Sequence, residues 1–242
     1  MEIIFTNTLD VHQAYAPTPA SSCVPEWYRD MESYVNGVKK PNGEGKNTGT
    51  IKRCMPVFDA ITCGYILYTP TDVYVSQRPT LDTQGNDTGK TAPWYEWPSL
   101  EQIAFHPYIQ APHHPNKGGL SEDGLYPKWV NPWSIKTPKG YSALFTQPMH
   151  RESPFTILDG IVDTDTYYAP VNFPFVLNDW NFEGLIPAGT PMAQVIPFKR
   201  DSWTMKLGDE TERNSQSKVS SYLRSSFFDS YKNKFRQPKH YR

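Results

Sequence analysis

ILDGIVDTDTYYAPVNFPFVLNDWNFEGLIPAGTPMAQVIPFKR, residues Ile157–Arg200, is the stretch whose reading sets the fold. Short apolar runs follow one another quickly in it, with turn residues between them at Asn178–Trp180 and Pro187–Gly189. Runs of about 4–8 residues rich in Val, Ile and Phe, closed off by Asn, Asp, Pro or Gly, read as strands. Several of these runs are apolar at almost every position. That requires cover on both faces, and hence two packed sheets rather than one half-wet sheet.

The same texture extends upstream to Trp129, through WVNPWSIKTP and YSALFTQP, with a turn at Pro138–Gly140. Further back, residues 61–68 (ITCGYILY) and 72–77 (DVYVSQ) read as two strands around Thr69-Pro70-Thr71, and EIIFT at the N-terminus as another. Trp27, Tyr28, Met31 and Tyr34 are spaced as one face of a short helix, with Pro25 where a first-turn proline is tolerated. Polar stretches at 36–50, 79–93 and 112–124 read as exposed loops. The 242 residues contain 23 prolines against 15 glycines, about twice the ordinary proline usage. Such density breaks helices and favours short strands joined by proline-punctuated loops. The expected fold is all-β, a jelly roll or β-sandwich with long Pro-rich loops, a short N-terminal helix and a C-terminal amphipathic helix.

The tail differs from the rest. Residues 207–218 (LGDETERNSQSK) are almost free of apolar side chains. Val219, Tyr222, Leu223, Phe227, Tyr231 and Phe235 then recur every three or four residues, as a helix stripe does. The expected organisation is one β domain with loop insertions over 1–206, then a polar linker and amphipathic helix over 207–242. The helix either packs on its own sheet or docks a protein partner through Val219–Phe235.

Charge and cysteine content remove several functions. Lys and Arg number 24 against 25 Asp and Glu, so whole-surface nucleic-acid binding is not expected, although residues 218–242 carry seven Lys or Arg and one acid. Mean hydropathy is −0.62 and no apolar run approaches about 18 residues, so no membrane partner is expected. Three cysteines (Cys23, Cys54, Cys63) at no metal spacing argue against a disulfide framework, and MEIIFTNTLDVHQ lacks the basic and apolar regions of a secretion signal. The expectation is a protein that is not secreted.

Candidate chemistry centres on GIVDTD. Asp163 and Asp165 stand two apart at the end of an apolar strand, where alternate residues face the same side. Neighbouring carboxylates bind a cation or push one pKa upward, and either helps to activate water. The other reading is a tight turn, with Asp163 and Thr166 bonding the backbone. His106, His113, His114 and His150, with Glu152 or Asp163, offer a metal set, but without His-x-His or His-x-Asp spacing; the residue pattern assigns no metal site. Trp94, Tyr95, Trp97, Trp129 and Trp133 either stack a base or sugar or pack the loops onto the sheets.

The succession GIVDTD, VNFPFVLN and IPAGTPMAQVIP resembles the dUTPase and dCTP deaminase superfamily. PKGYSALFTQP (Pro138–Pro148) stands where that family has its phosphate-contacting Arg-Ser-Ser segment, and AITCGYILYTPTDVYV (Ala60–Val75) looks like its opening hairpin. The resemblance implies a distorted jelly roll assembled as a homo-oligomer, commonly a trimer, with sites between subunits. It implies Asp163 as the carboxylate that activates water, Asp165 beside it, Ser142 as a phosphate contact and Gln194 as the family glutamine. Mg²⁺ is implied if the chain is a hydrolase. The family arginine is replaced by Gly140 or Tyr141, which removes a bidentate phosphate partner.

Residues 50–77, 128–148 and 159–178 also resemble an uncharacterised protein family of tailed phages, including those of cyanobacteria. That resemblance implies a place in the host cytoplasm during infection or in the virion. The function expected first is binding or assembly on a dUTPase-like β fold without catalysis. The alternative is a nucleoside triphosphate pyrophosphatase-like hydrolase with Asp163 as base or metal ligand.

Overall fold

The computed structural model describes residues 1–7, 15–39, 48–82, 84–98, 103–107, 125–225 and 229–242. The chain forms two compact units, Met1–Thr18 with Gly64–Arg200, and Pro19–Cys63 with Asp201–Arg242.

The first unit holds the strands. In chain order these are β1 (Ile4–Asn7), β2 (Thr18–Pro19, where the chain leaves the unit), β3 (Tyr65–Tyr68), β4 (Val73–Leu81), β5 (Asp87–Glu96), β6 (Ile103–Pro107) and β7 (Leu125–Trp129). There follow β8 (Trp133–Lys136), β9 (Tyr141–Thr146), β10 (Phe155–Ile157), β11 (Gly160–Val162), β12 (Phe173–Leu177), β13 (Gly184–Ile186) and β14 (Pro191–Lys199). Among the described residues they form sheets of order β1-β8, β10-β12-β7-β6, β11-β9-β14-β3-β2 and β13-β4-β5.

Strand alternation turns Phe173, Phe175 and Leu177 of β12 inward. Trp129 of β7 stacks on Phe175 with centroids 4.9 Å apart, and Phe155 of β10 packs against both rings. Phe145 of β9 meets Phe173 at 5.5 Å, which joins the sheet of β9 to that of β12. Tyr95 of β5 meets Phe175 edge-on at 5.8 Å and joins the third sheet to the same point. The result is the all-β class expected, antiparallel sheets closed on an aromatic core.

Three local expectations are corrected. The polar stretch 79–93 is not a loop but most of a long hairpin, because β4 runs to Leu81 and β5 begins at Asp87. Its turn is held by Asp82, whose Oδ1 accepts the N–H groups of Gln84 and Asn86, both at 2.8 Å. Its strands are held by a Thr80–Thr88 hydroxyl pair and by Arg78, which bonds Glu96 and lies over the Trp94 ring at 4.3 Å. With polar groups on both faces, the hairpin shows no apolar alternation to read. ITCGYILY is a strand only from Tyr65; Ile61 and Thr62 close a helix, and Gly64 makes the change of direction with φ at +71°. The third exception is the tail.

The second unit holds α1 (Glu26–Asp30), α2 (Met55–Thr62) and α3 (Glu210–Ser225). Phe58 of α2 stacks on Tyr28 of α1 at 6.0 Å and lies under the Arg236 guanidinium. Asp59 of α2, 8% exposed, accepts hydrogen bonds from Arg236 and from Lys239 Nζ at 2.8 Å. Burial pushes the Asp59 carboxyl up, but these two cations outweigh it and hold the pKa below its ordinary value. Residues expected as linker are helical from Glu210: Asp209 Oδ1 accepts the Thr211 N–H, and the Glu212 carboxylate reaches back to the Asp209 N–H at 3.0 Å, a reciprocal cap. The expected helix Val219–Phe235 is therefore displaced. α3 ends at Ser225, residues 226–228 lie outside the described residues, Asp229 has φ of +60°, and Tyr231–Phe235 is a separate turn.

Glycine positions separate two kinds of constraint. At Gly64 an added Cβ would meet the Val195 carbonyl oxygen of β14 at 2.0 Å, whereas at Gly140 (φ +86°) it would meet nothing within 4 Å. Gly140→Ala is expected to cost only the left-handed backbone penalty, about 1–2 kcal/mol, a few degrees in Tm. Gly64→Ala must also displace β14 and is expected to lower Tm by clearly more. Equal shifts in thermal melts would refute the close approach.

Candidate functional site

Three adjacent strands bring the candidate residues together. In the order β11-β9-β14, Val162 pairs with Ala143, and Ser142 pairs with Phe198. Asp163 therefore leaves β11 beside Ser142, and Arg200 follows β14 at the same end of the sheet. The turn leading into β9 is the last component. Tyr141 N–H bonds Pro138 O at 3.2 Å with Gly140 at φ +86° in the third position, where a type II turn calls for glycine.

These residues bond one another closely. Ser142 Oγ donates to Asp163 Oδ1 at 2.7 Å. Arg200 Nη1 donates to Asp163 Oδ1 at 3.1 Å, to Ser142 Oγ at 3.1 Å and to Asp165 Oδ1 at 2.8 Å, while Nη2 takes Asp165 Oδ2. Gly140 N–H also donates to Asp165 Oδ2 at 2.8 Å, and Arg200 N–H donates back to Gly140 O at 2.9 Å. The Asp165 side chain is 3% exposed and that of Asp163 62%. Hydrogen bonding from Arg200, then from the Gly140 N–H, holds the Asp165 carboxyl down at about 2.

Asp163, Asp165 and Ser142 thus share one cluster, and the turn reading also holds for part of it: Asp163 O accepts the N–H groups of Thr166 (3.0 Å) and Tyr167 (2.8 Å). Gln194 is placed elsewhere. It lies on β14 four residues before Phe198, about 13 Å along the strand. It is fully buried, with Oε1 accepting the Met149 N–H at 2.9 Å. Of the histidines, His113 and His114 lie outside the described residues, His106 is on β6, and His150 sits in a turn at φ 57°. Trp129, Tyr95 and Trp133 are core, whereas Trp94 is half exposed under Arg78.

The residue that sequence reasoning missed is Arg200. It supplies a guanidinium beside Ser142 after all, but from the end of β14 rather than from the turn before β9. The signal was its position immediately after an apolar strand, readable only once that strand's register is known. Two carboxylates against one guanidinium leave the cluster with a net charge of −1. A divalent cation fits it poorly: Asp165 is committed to Arg200, and the guanidinium occupies the flank of Asp163 where an ion's charge would sit. Among the described residues no three His, Cys, Asp or Glu side chains form a metal-holding group.

No protein-family model matches the chain, and no curated protein matches it. Among solved structures it is similar to a point mutant of the dUTPase from phage phi11 of S. aureus, described as coordinating a structural Mg(II) ion. The TM-score is 0.35 and the identity 9%, over 88% of this chain and 99% of that one.

The depressed carboxyl makes a signed prediction. A group with a lowered native pKa stabilises the fold above its unfolded pKa, about 4, and loses that effect as pH falls through its native pKa, about 2. Asp165→Asn is expected to melt below the wild type at pH 5–7, with the gap closing between pH 4 and 2. A pH-independent gap in thermal melts would remove Arg200–Asp165 as its source.

Proposed function

We propose that the chain is a binding or assembly protein built on a dUTPase-like β fold, of phage origin, acting as a homo-oligomer in the infected cell or the virion, and that the Asp163–Asp165–Arg200–Ser142 cluster is a structural clasp. One observation carries the reading: the groups that would hold and cleave a nucleotide hold one another. Arg200 spends its fork on Asp165 and the Ser142 hydroxyl is donated to Asp163. Recruiting Arg200 to a phosphate would take from Asp165, whose side chain is 3% exposed, the cation it is bonded to. A triphosphate would also approach a cluster of its own sign. The dUTPase-like part of the reading is supported by the adjacency of Ser142 and Asp163, which stand 21 residues apart and meet at 2.7 Å.

The hydrolase reading draws on one feature. Asp163 is 62% exposed and its Oδ2 has no hydrogen-bond partner among the described residues, so a carboxylate oxygen faces outward. The deciding experiment is incubation of the purified protein with each nucleoside triphosphate and Mg²⁺, reading pyrophosphate release. No release from any nucleotide is expected, with Arg200→Ala lowering Tm. Release from one nucleotide, abolished by Asp163→Asn at unchanged Tm, would make the chain an enzyme and overturn the clasp.

A further inference from the structure

The second unit holds a cavity of its own, about 360 Å³, within the range of small-molecule sites, roughly 300–1,000 Å³. Residues 50–56 and 229–232, far apart in the chain, line it together with Tyr34. Local structure brings both segments there. Ile51–Arg53 is a single 3-10 turn, closed by the Cys54 N–H on Ile51 O at 2.9 Å. Pro56, tolerated in a first helical turn, then starts α2 directly afterwards. In the other segment Asp229 has φ of +60°, and its carbonyl accepts the Asn233 N–H at 2.8 Å, which curls residues 230–232 into the wall.

The charges in this wall are only partly spent. Arg53 lies over the Tyr34 ring at 5.2 Å and gives Nη2 to Asp229 Oδ1, while its Nε and Nη1 have no acceptor among the described residues. Lys232 Nζ has no partner among them either, whereas Lys234 is taken up on the Tyr222 ring at 3.6 Å. No side chain caps α2, and its first residues Met55 and Pro56 line the cavity beside Cys54, so the positive end of the helix faces it. Arg53 and Lys232 against the Asp229 carboxylate leave a net charge of +1. The Asp163 cluster is the reverse case, with both arms of the Arg200 fork committed and a net charge of −1.

We infer that this cavity binds a small phosphomonoester, with the phosphate on Arg53, Lys232 and the start of α2 and the organic part against Tyr231. A phosphate group brings three acceptor oxygens and a charge of about −1.5 to −2, enough to serve a guanidinium, an ammonium and a helix N-terminus together. A carboxylate, with two oxygens and one charge, would leave one of the three unserved. Arg53 does not have to release Asp229 to take part. That carboxylate holds one arm of the guanidinium and so positions the free N–H groups. The Tyr231 ring, 42% exposed, is the aromatic surface left open to the organic part. The site lies in the unit that does not carry the Asp163 cluster, and holds whether that cluster is a clasp or a catalyst.

The test uses the full chain with phenyl phosphate, benzoate and inorganic phosphate as probes, read by titration calorimetry and by alkylation of Cys54. Cys54 is an exposed thiol in the cavity wall, whereas Cys23 and Cys63 are half-buried and outside it. Phenyl phosphate is expected to bind more tightly than either other probe and to slow iodoacetamide labelling of Cys54, measured by peptide mass spectrometry, but not of Cys23 or Cys63. Lys232→Ala removes an exposed side chain, so Tm is expected to stay near wild type while affinity falls about tenfold or more. Arg53→Lys, which keeps a cation for Asp229 and lacks the fork, is expected to weaken binding as well. Absence of binding at millimolar phenyl phosphate would overturn the site, as would unchanged affinity in Lys232→Ala. Equal binding of benzoate would overturn the phosphate, and equal protection of Cys54 by sodium chloride at matched ionic strength would reduce the effect to screening and overturn it too.

Discussion

The bond between Arg200 and Asp165 is the constraint on which the order of the strands at this end of the sheet depends. It links the two neighbours of β9, since Asp165 follows β11 and Arg200 follows β14. The Gly140 turn is then gripped on both its polar groups, N–H by Asp165 and carbonyl by the Arg200 N–H. One-residue slippage of either flanking strand would separate Arg200 from Asp165 and turn the apolar set of that strand away from the core. Phe145, three residues beyond Ser142 on β9, packs on Phe173, and the ion pair holds the register at this end of the sheet.

The same bond limits the chemistry open to the cluster. A guanidinium that recognises phosphate must be able to release its resting partner, and an exposed aspartate would allow that. Asp165 is not exposed, and it has already given up its water to two donors. In the proposed reading an arginine in this position is part of the fold, although a serine and a second carboxylate stand beside it. Ser142 and Asp163 show that residue types and mutual distance suit more than one purpose. What discriminates is which of their hydrogen-bonding capacities the fold has already consumed.

How much of this was legible in the sequence follows from where the burial lies. Strands β9 to β14 could be read because their residues are buried and their ends are marked by Pro138, Gly140, Asn178, Pro187 and Gly189. The hairpin β4–β5 could not, because Thr80, Thr88, Arg78 and Glu96 stabilise it with polar pairs that carry no apolar period. α2 was hidden because MPVFDAIT runs without a break into CGYILY, and a short apolar run cannot be assigned to helix or strand by periodicity. In the site, Asp163, Asp165 and Ser142 were visible as residue types at suggestive spacing. Arg200 was not, because its role is fixed by a pairing between segments 35 residues apart. Gln194 lies on the strand expected of it, and its distance from Ser142 along the sheet is settled by register and not by motif.

The tail can be understood in the same terms. Two Arg–Asp clasps bracket it, Arg200 on Asp165 before it and Arg236 on Asp59 after it, the second in a unit that also fixes Lys239 on the same carboxylate. Between those points residues 201–219 are exposed throughout, with three apolar side chains followed by a capped helix. A segment with no function would be expected to lose its large apolar residues, because Trp203, Met205 and Leu207 expose area at a cost in solubility and gain nothing within the chain.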